Sequence, residues 1–93
     1  MVAPHPLSYN LHMHYLYLLQ SQADNSLYFG ITNDLTRRYH EHNDGQSQFT
    51  KSKKPWKLIY YEAYANSNLA RDREKQLKRF AKSYAMLKKR LGL

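Results

Sequence analysis

Four residues carry the chemistry this chain could perform: Tyr17, Tyr28 within Tyr28-Phe29-Gly30, Arg38, and Glu74 within Arg73-Glu74-Lys75. A phosphodiester under attack by water gathers negative charge on its non-bridging oxygens, and fixed cations, hydroxyls and carboxylates are the groups that manage it. A tyrosine pair, an arginine and an acid are therefore the residue types a phosphodiester-cutting site needs. They occur in a chain of formal net charge +8. Basicity alone predicts nucleic-acid binding; the acid among the cations raises the question of catalysis.

These residues must be positioned by elements that the periodicity outlines. Met13–Gln20 (MHYLYLLQ) and Ser26–Thr32 (SLYFGIT) read as strands, whose side chains alternate between faces. Leu16 and Leu18 share one face, and Tyr15, Tyr17 and Leu19 the other. In the second strand Leu27, Phe29 and Ile31 oppose Tyr28, Gly30 and Thr32. The turn formers in SQADN predict an antiparallel hairpin. Pairing Tyr17 with Tyr28, Leu16 with Phe29 and Leu18 with Leu27 puts the aliphatic residues on one side and both tyrosines on the other.

Thr32, Asn33 and Asp34 supply N-cap chemistry for a helix over LTRRYHEHN, which Asp44-Gly45 ends. Leu35, Tyr39 and His42 form its stripe, with Arg38 beside it. Gln46–Pro55 (QSQFTKSKKP) reads as an exposed basic loop, and Trp56–Tyr64 (WKLIYYEAY) as a third strand. Asn66 and Ser67 cap a second helix over about 68–79, and a third covers about 83–90. On the second helix Leu69, Ala70, Arg73, Leu77 and Phe80 share an arc at about 100° per residue, and Glu74 sits just past its edge. The expected class is α+β, with a three-stranded antiparallel sheet flanked by helices in the order β-β-α-β-α-α. Residues 1–11 read as a flexible tail and 12–93 as a single domain.

Composition bounds the partners. Fifteen Lys+Arg against seven Asp+Glu, with pI near 9.8, favour a polyanion: DNA first, RNA as the alternative, an anionic membrane surface behind them. The chain has no cysteine, which removes disulfides and thiolate metal sites and fits a cytoplasmic protein. No apolar run approaches the roughly 20 residues of a membrane span. A monomer is expected.

The order of these segments resembles the GIY-YIG nuclease superfamily, most closely its small stand-alone bacterial members. Tyr15-Leu16-Tyr17 stands where the family has its first motif and Tyr28-Phe29-Gly30 where it has its second. Gly30–Leu35, Arg37-Arg38, Glu41-His42-Asn43, Tyr60-Tyr61-Glu62 and Arg73–Lys78 are similar to those small members. The resemblance implies metal-dependent endonuclease activity with magnesium or manganese. It implies that Tyr17 serves as general base or orients the attacking water, and that Tyr28 holds the phosphate or the water. Arg38 would steady the transition state, Glu74 would bind one divalent cation, and His42 would support the site. Two departures stand out: Tyr15 replaces the first motif's glycine, and no asparagine follows Glu74, where many family members have one.

Blander readings exist for each residue. Tyrosine favours strands in any protein. Glu74 could simply pair with Lys78 at i+4, and Glu62 reads as a strand-end surface acid. His12 with His14 and His40 with His42 could suggest zinc, but two such pairs without cysteine fall short of a structural zinc site. Arg37, Lys51, Lys53, Lys54, Lys75 and Lys78 are where phosphate contacts are expected, with Trp56, Tyr60 and Tyr61 offering stacking surfaces. A catalytically idle nucleic-acid-binding module and a protein-interaction module are the alternatives to an enzyme.

Overall fold

The computed structural model describes residues 13–93; the expected tail at 1–11, and His12, lie outside the described residues. Its elements are β1 (His14–Ser21), β2 (Leu27–Thr32), α1 (Leu35–Asn43), a 3-10 turn (Lys51–Lys53), β3 (Trp56–Tyr64), α2 (Ser67–Arg79) and α3 (Ala81–Arg90). The β-β-α-β-α-α order matches the expectation. The strands form one antiparallel sheet in the order β2-β1-β3. As the central strand, β1 has both faces covered, which is why Tyr15 to Leu19 are all buried.

Alternation along β1 divides the core into two layers. On the first face Tyr17, Leu19 and Trp56 pack with Tyr28, Leu58, and Leu35 and Tyr39 of α1. On the second, Leu16 packs with Leu77 of α2 and Leu87 of α3, flanked by Phe29, Ile31, Tyr60 and Tyr64. A bulge makes this division possible on β3. Leu19 pairs with Leu58 but Leu18 pairs with Tyr60, so Ile59 is the extra residue. The inserted residue inverts the facing pattern, sending Trp56 and Leu58 to one layer and Tyr60 and Tyr64 to the other.

The hairpin register differs from the expected one by two residues. Tyr17 pairs with Gly30, Leu16 with Ile31, Leu18 with Phe29 and Leu19 with Tyr28. An even shift keeps every side chain on its expected face, so burial cannot choose between the two registers. The turn chooses. The Ser21 hydroxyl accepts from the amides of Ala23 and Asp24 at 3.1 and 3.2 Å, and Asp24 accepts from the Ser26 amide at 3.0 Å. Asn25 takes the left-handed conformation, φ 63°, that closes the loop.

The helices start where side chains cap them. Asp34 accepts from the Arg37 amide at 3.1 Å, and Asn66 from the Leu69 amide at 3.0 Å. The arc expected on α2 is narrower than predicted. Ala70 and Leu77 are buried, while Leu69 and Phe80 are exposed. Phe80 is the extended joint between α2 and α3, with ψ 98°, so it leaves the helical phase.

The 46–55 loop is also less exposed than expected. Ser47 and Thr50 are buried, and the Ser21 hydroxyl donates to the Lys53 carbonyl at 2.6 Å, tying the loop to the hairpin. Among the described residues, no helix is long and apolar enough to cross a membrane.

Candidate active site

Tyr17 is the centre of the first layer. Its ring is buried against Trp56 and Leu19, and its hydroxyl lies 2.8 Å from Nε2 of His42. Nδ1 of the same imidazole lies 2.6 Å from the Thr50 hydroxyl. His42 is fully buried in the last turn of α1, so both ring nitrogens find partners inside the protein. Tyr28 closes the group, its ring 6.4 Å from that of Tyr17 and 5.2 Å from that of His42.

The register explains why glycine occupies position 30. It lies directly opposite Tyr17, and a Cβ there would come within 2.7 Å of the Tyr17 hydroxyl oxygen. Any side chain at this position would contest the space the phenol occupies.

Arg38 rises from α1 beside this hydroxyl and is held by an ion pair to Glu41 at 3.0 Å, three residues further along the same face. Arg37 points elsewhere, toward Asn33 at 3.3 Å and Glu41 at 3.8 Å. Glu74 comes from the other layer. On α2 the buried stripe is Ala70 and Leu77, and Arg73 and Glu74 flank it by about 50° on either side. Arg73 reaches Glu62 on β3. Glu74 faces the β2 side, where Lys78 pairs with it at 3.5 Å and sits over the Phe29 ring.

Burial pushes the Tyr17 phenol up to about 12; the guanidinium of Arg38 opposes the rise, and Tyr28 and the Glu74 carboxylate add to it. Burial, helped by the Arg38 charge and opposed by Glu41, lowers His42 to about 4, so the imidazole is neutral at pH 7. For Arg38, burial acts to lower the guanidinium, yet Glu41 and Tyr17 outweigh it and the net shift is upward.

Several expected residues lie elsewhere. Trp56 is buried, with its indole NH donating to the Thr50 carbonyl at 2.8 Å, so it cannot stack on a base. Its backbone is clamped by Asn43, which accepts from the Trp56 amide at 2.6 Å and donates to its carbonyl at 3.0 Å. Lys51, Lys53, Lys54, Lys75 and Lys78 are exposed, although Lys53 pairs with Asp24 at 3.6 Å. Glu62 is no surface acid. It is mostly buried and takes Arg73 Nε at 2.9 Å, with the Tyr60 and Tyr64 hydroxyls donating to it as well. Among the described residues, no three His, Cys, Asp or Glu side chains gather to hold a metal ion.

Three contributors were missed in the sequence. Glu41 was legible, since i,i+3 from Arg38 makes it a helical neighbour. Thr50 and Asn43 were not, because their partners are remote in the chain and neither residue type marks a role.

The remaining test is comparison. The model of the GIY-YIG catalytic domain matches residues 13–89. A UPF0213 protein of Bacillus pumilus is 41% identical over 68 residues, covering 72% of this chain and 68% of that protein. One from Haloquadratum walsbyi is 34% identical over 70 residues, covering 74% and 78%. The solution structure of a UPF0213 protein from Bacillus halodurans is 28% identical, covers 81% of this chain and 82% of that one, and superposes with a TM-score of 0.49. With the domain model spanning both tyrosine segments, α1 and the Glu74 helix, this chain belongs to the GIY-YIG family, a nuclease superfamily.

Proposed function

We propose that this protein is a divalent-cation-dependent endonuclease that hydrolyses phosphodiester bonds in DNA. One observation carries the reading: the buried Tyr17 hydroxyl is held at 2.8 Å by His42 in a group that Tyr28 closes, with Arg38 on the same helix as His42. Packing needs Tyr17 for its ring; it does not need a buried imidazole and a cation at the ring's polar end.

Each group then has a role. At about 12, the Tyr17 phenol is ionised in roughly one molecule in 10⁵ at pH 7, so a general-base role is disfavoured against water positioning. Thr50 is fully buried, and its hydroxyl lies 2.6 Å from Nδ1 of His42. In the tautomer with its proton on Nε2, Thr50 donates to Nδ1 and the ring donates to the Tyr17 oxygen, which leaves the Tyr17 O–H free to orient a water or a phosphate oxygen. Arg38, braced by Glu41, meets charge developing on the non-bridging oxygens. Tyr28 lies at the open side of the group to contact the phosphate.

Glu74 is the residue that would hold the cation. A lone carboxylate fits magnesium, which keeps several waters and takes further oxygens from phosphate. When bound, the ion supplies Lewis-acid neutralisation of the phosphoryl oxygens. The exposed lysines of the 51–54 loop and of α2 support a nucleic-acid substrate, and the cysteine-free composition supports a cytoplasmic setting.

The test is nicking of supercoiled, branched and single-stranded DNA with magnesium or manganese, and with EDTA as control. Glu74→Gln should cut at least about a thousandfold more slowly, since several kcal/mol of transition-state stabilisation are lost. Its stability should stay within about 0.5 kcal/mol of wild type, because only a partly exposed i,i+4 pair is removed. A wild type that binds these DNAs and cuts none of them is an idle binding module. A Glu74→Gln protein that cuts at the wild-type rate removes Glu74 from the mechanism.

A further inference from the structure

Phe49 is 83% exposed, the most exposed large apolar side chain among the described residues. It is not on a slack loop. Ser47 before it and Thr50 after it are buried, and the Lys51 amide donates to the Ser47 carbonyl at 3.0 Å. Thr50 is further fixed by its hydroxyl contact to His42 at 2.6 Å and by the Trp56 indole at 2.8 Å. The backbone on which Phe49 stands is thus tied to the same imidazole that anchors Tyr17. The ring projects outward from a fixed turn.

Phe49 lines one groove with Leu27, Tyr28, Phe29 and Lys78. Tyr28 belongs to the tyrosine cluster and Lys78 pairs with Glu74, so the groove opens directly on the candidate site. Its lining carries one cation, Lys78, and Lys51, Lys53 and Lys54, which follow Phe49 in the chain, are exposed. An apolar peptide would gain nothing from the Lys78 cation or from the lysines that follow Phe49. A polynucleotide would, through its phosphates, and its bases would offer flat faces to the phenyl ring.

We propose that Phe49 is a base-stacking residue, and that the groove it forms with Tyr28 and Lys78 takes one unpaired nucleobase beside the scissile phosphate. The base must be unpaired, because a base stacked in a duplex has no free face to offer. This proposal rests on the nuclease reading for the location of the phosphate, though base binding itself does not require cleavage.

Binding of a fluorescein-labelled thymidine dodecamer to the full chain, in EDTA so that no cutting occurs, tests it by anisotropy. Phe49→Ala should weaken binding roughly 5- to 100-fold at low salt, the usual loss for one base–aromatic stack. Phe49→Trp should restore it. Dodecamers with a single abasic site walked along the strand should reveal one position where wild type loses the same factor and Phe49→Ala loses nothing more. That pattern ties the loss to a base and not to general adhesion. Because Phe49 is exposed, its truncation should leave the thermal midpoint unchanged, so a misfolded variant does not confuse the result. Equal affinities for wild type and Phe49→Ala overturn the proposal, as does an abasic series in which both proteins lose equally at every position. The nuclease reading fails separately. A protein that cuts DNA yet binds the dodecamer independently of Phe49 keeps its function and loses this subsite. One that shows the Phe49-dependent pattern but never cuts keeps the subsite and loses the function.

Discussion

Two groups in this molecule each draw on two tyrosines, an arginine and a glutamate, and they behave in opposite ways. Tyr60, Tyr64, Arg73 and Glu62 form one; Tyr17, Tyr28, Arg38 and Glu74 form the other. In the first the carboxylate is saturated by both tyrosines and a bidentate guanidinium. Burial would raise Glu62, but hydrogen bonds from Arg73, Tyr60 and Tyr64 outweigh it and hold the group below the usual carboxylate range. In the second, arginine and glutamate never meet. Arg38 is taken by Glu41 at one end, and Glu74 has a loose pair to Lys78. A closed cluster stabilises α2 on the sheet; an open one retains unspent charge. What separates them is the sheet: the partners of the first share one layer, and those of the second come from both.

The largest stability effect should therefore fall on the closed cluster. Glu62→Gln leaves Arg73 facing a neutral amide in a site where both side chains are mostly buried. We expect a loss of about 3–4 kcal/mol, read from urea unfolding midpoints. Glu74→Gln should cost a tenth of that. Cleavage per folded molecule should survive in Glu62→Gln. A variant with normal stability and no cleavage would reverse the assignment of the two clusters.

The pH dependence of stability distinguishes them next. His42 has a folded pKa near 4 against an ordinary value of 6.5, so the unfolded chain binds the extra proton first. Stability from the buried neutral ring is fully present above about 6.5 and is lost as pH falls toward about 4, by about 2–3 kcal/mol. Glu62 acts at lower pH: its depressed value means its contribution is lost only as pH falls through the carboxylate range. The alkaline limb belongs to both clusters, since the Tyr17 and Tyr64 phenols are each raised to about 12 and their contributions are lost between about 10 and 12. His42→Gln should flatten the 4–6.5 portion of a stability–pH curve and leave the lower portion in place. An unchanged curve would mean that the imidazole is charged or exposed in solution.

How much of this could be read in the chain differs between the layers. Faces were legible, because period-two alternation in β1 and β2 assigns Tyr17 and Tyr28 to one side under either register. Helix boundaries followed from Asp34, Asn66 and Gly45, whose side chains or missing side chain act locally. The register itself was not legible, since it is decided by hydrogen bonds of Ser21 and Asp24 that no hydrophobic pattern encodes. Nor was the burial of Trp56. Its neighbours Lys53, Lys54 and Pro55 are exposed and suggest an exposed aromatic, while the clamp from Asn43 comes from another element. Glu62 was misread for the same reason: Arg73, 11 residues away, is what buries it. Local chemistry is written locally, and contacts between elements are not.

A smaller effect than the loss of Glu62 is also the most specific to the open cluster. Gly30 faces Tyr17 across β2 and β1, and an alanine Cβ would meet the phenol oxygen at 2.7 Å and its Cζ at 3.0 Å. The ring cannot simply swing aside, because Trp56 and Leu19 pack it and His42 holds its oxygen at 2.8 Å. Gly30→Ala should thus cost about 1–2 kcal/mol, the usual range for one methyl forced into a packed site. The backbone here is ordinary strand, so φ contributes nothing and the clash alone sets the cost. Removing the oxygen tests this. In a Tyr17→Phe background the atom at 2.7 Å is gone, and Gly30→Ala should cost at most half as much. The double-mutant cycle then shows coupling of about 0.5–1 kcal/mol between positions on adjacent strands. Activity should fall further than stability in Gly30→Ala, because a displaced hydroxyl is no longer held by His42. Additive stabilities with full cleavage would show that Tyr17 has room to move, and that its hydroxyl position is not what the site depends on.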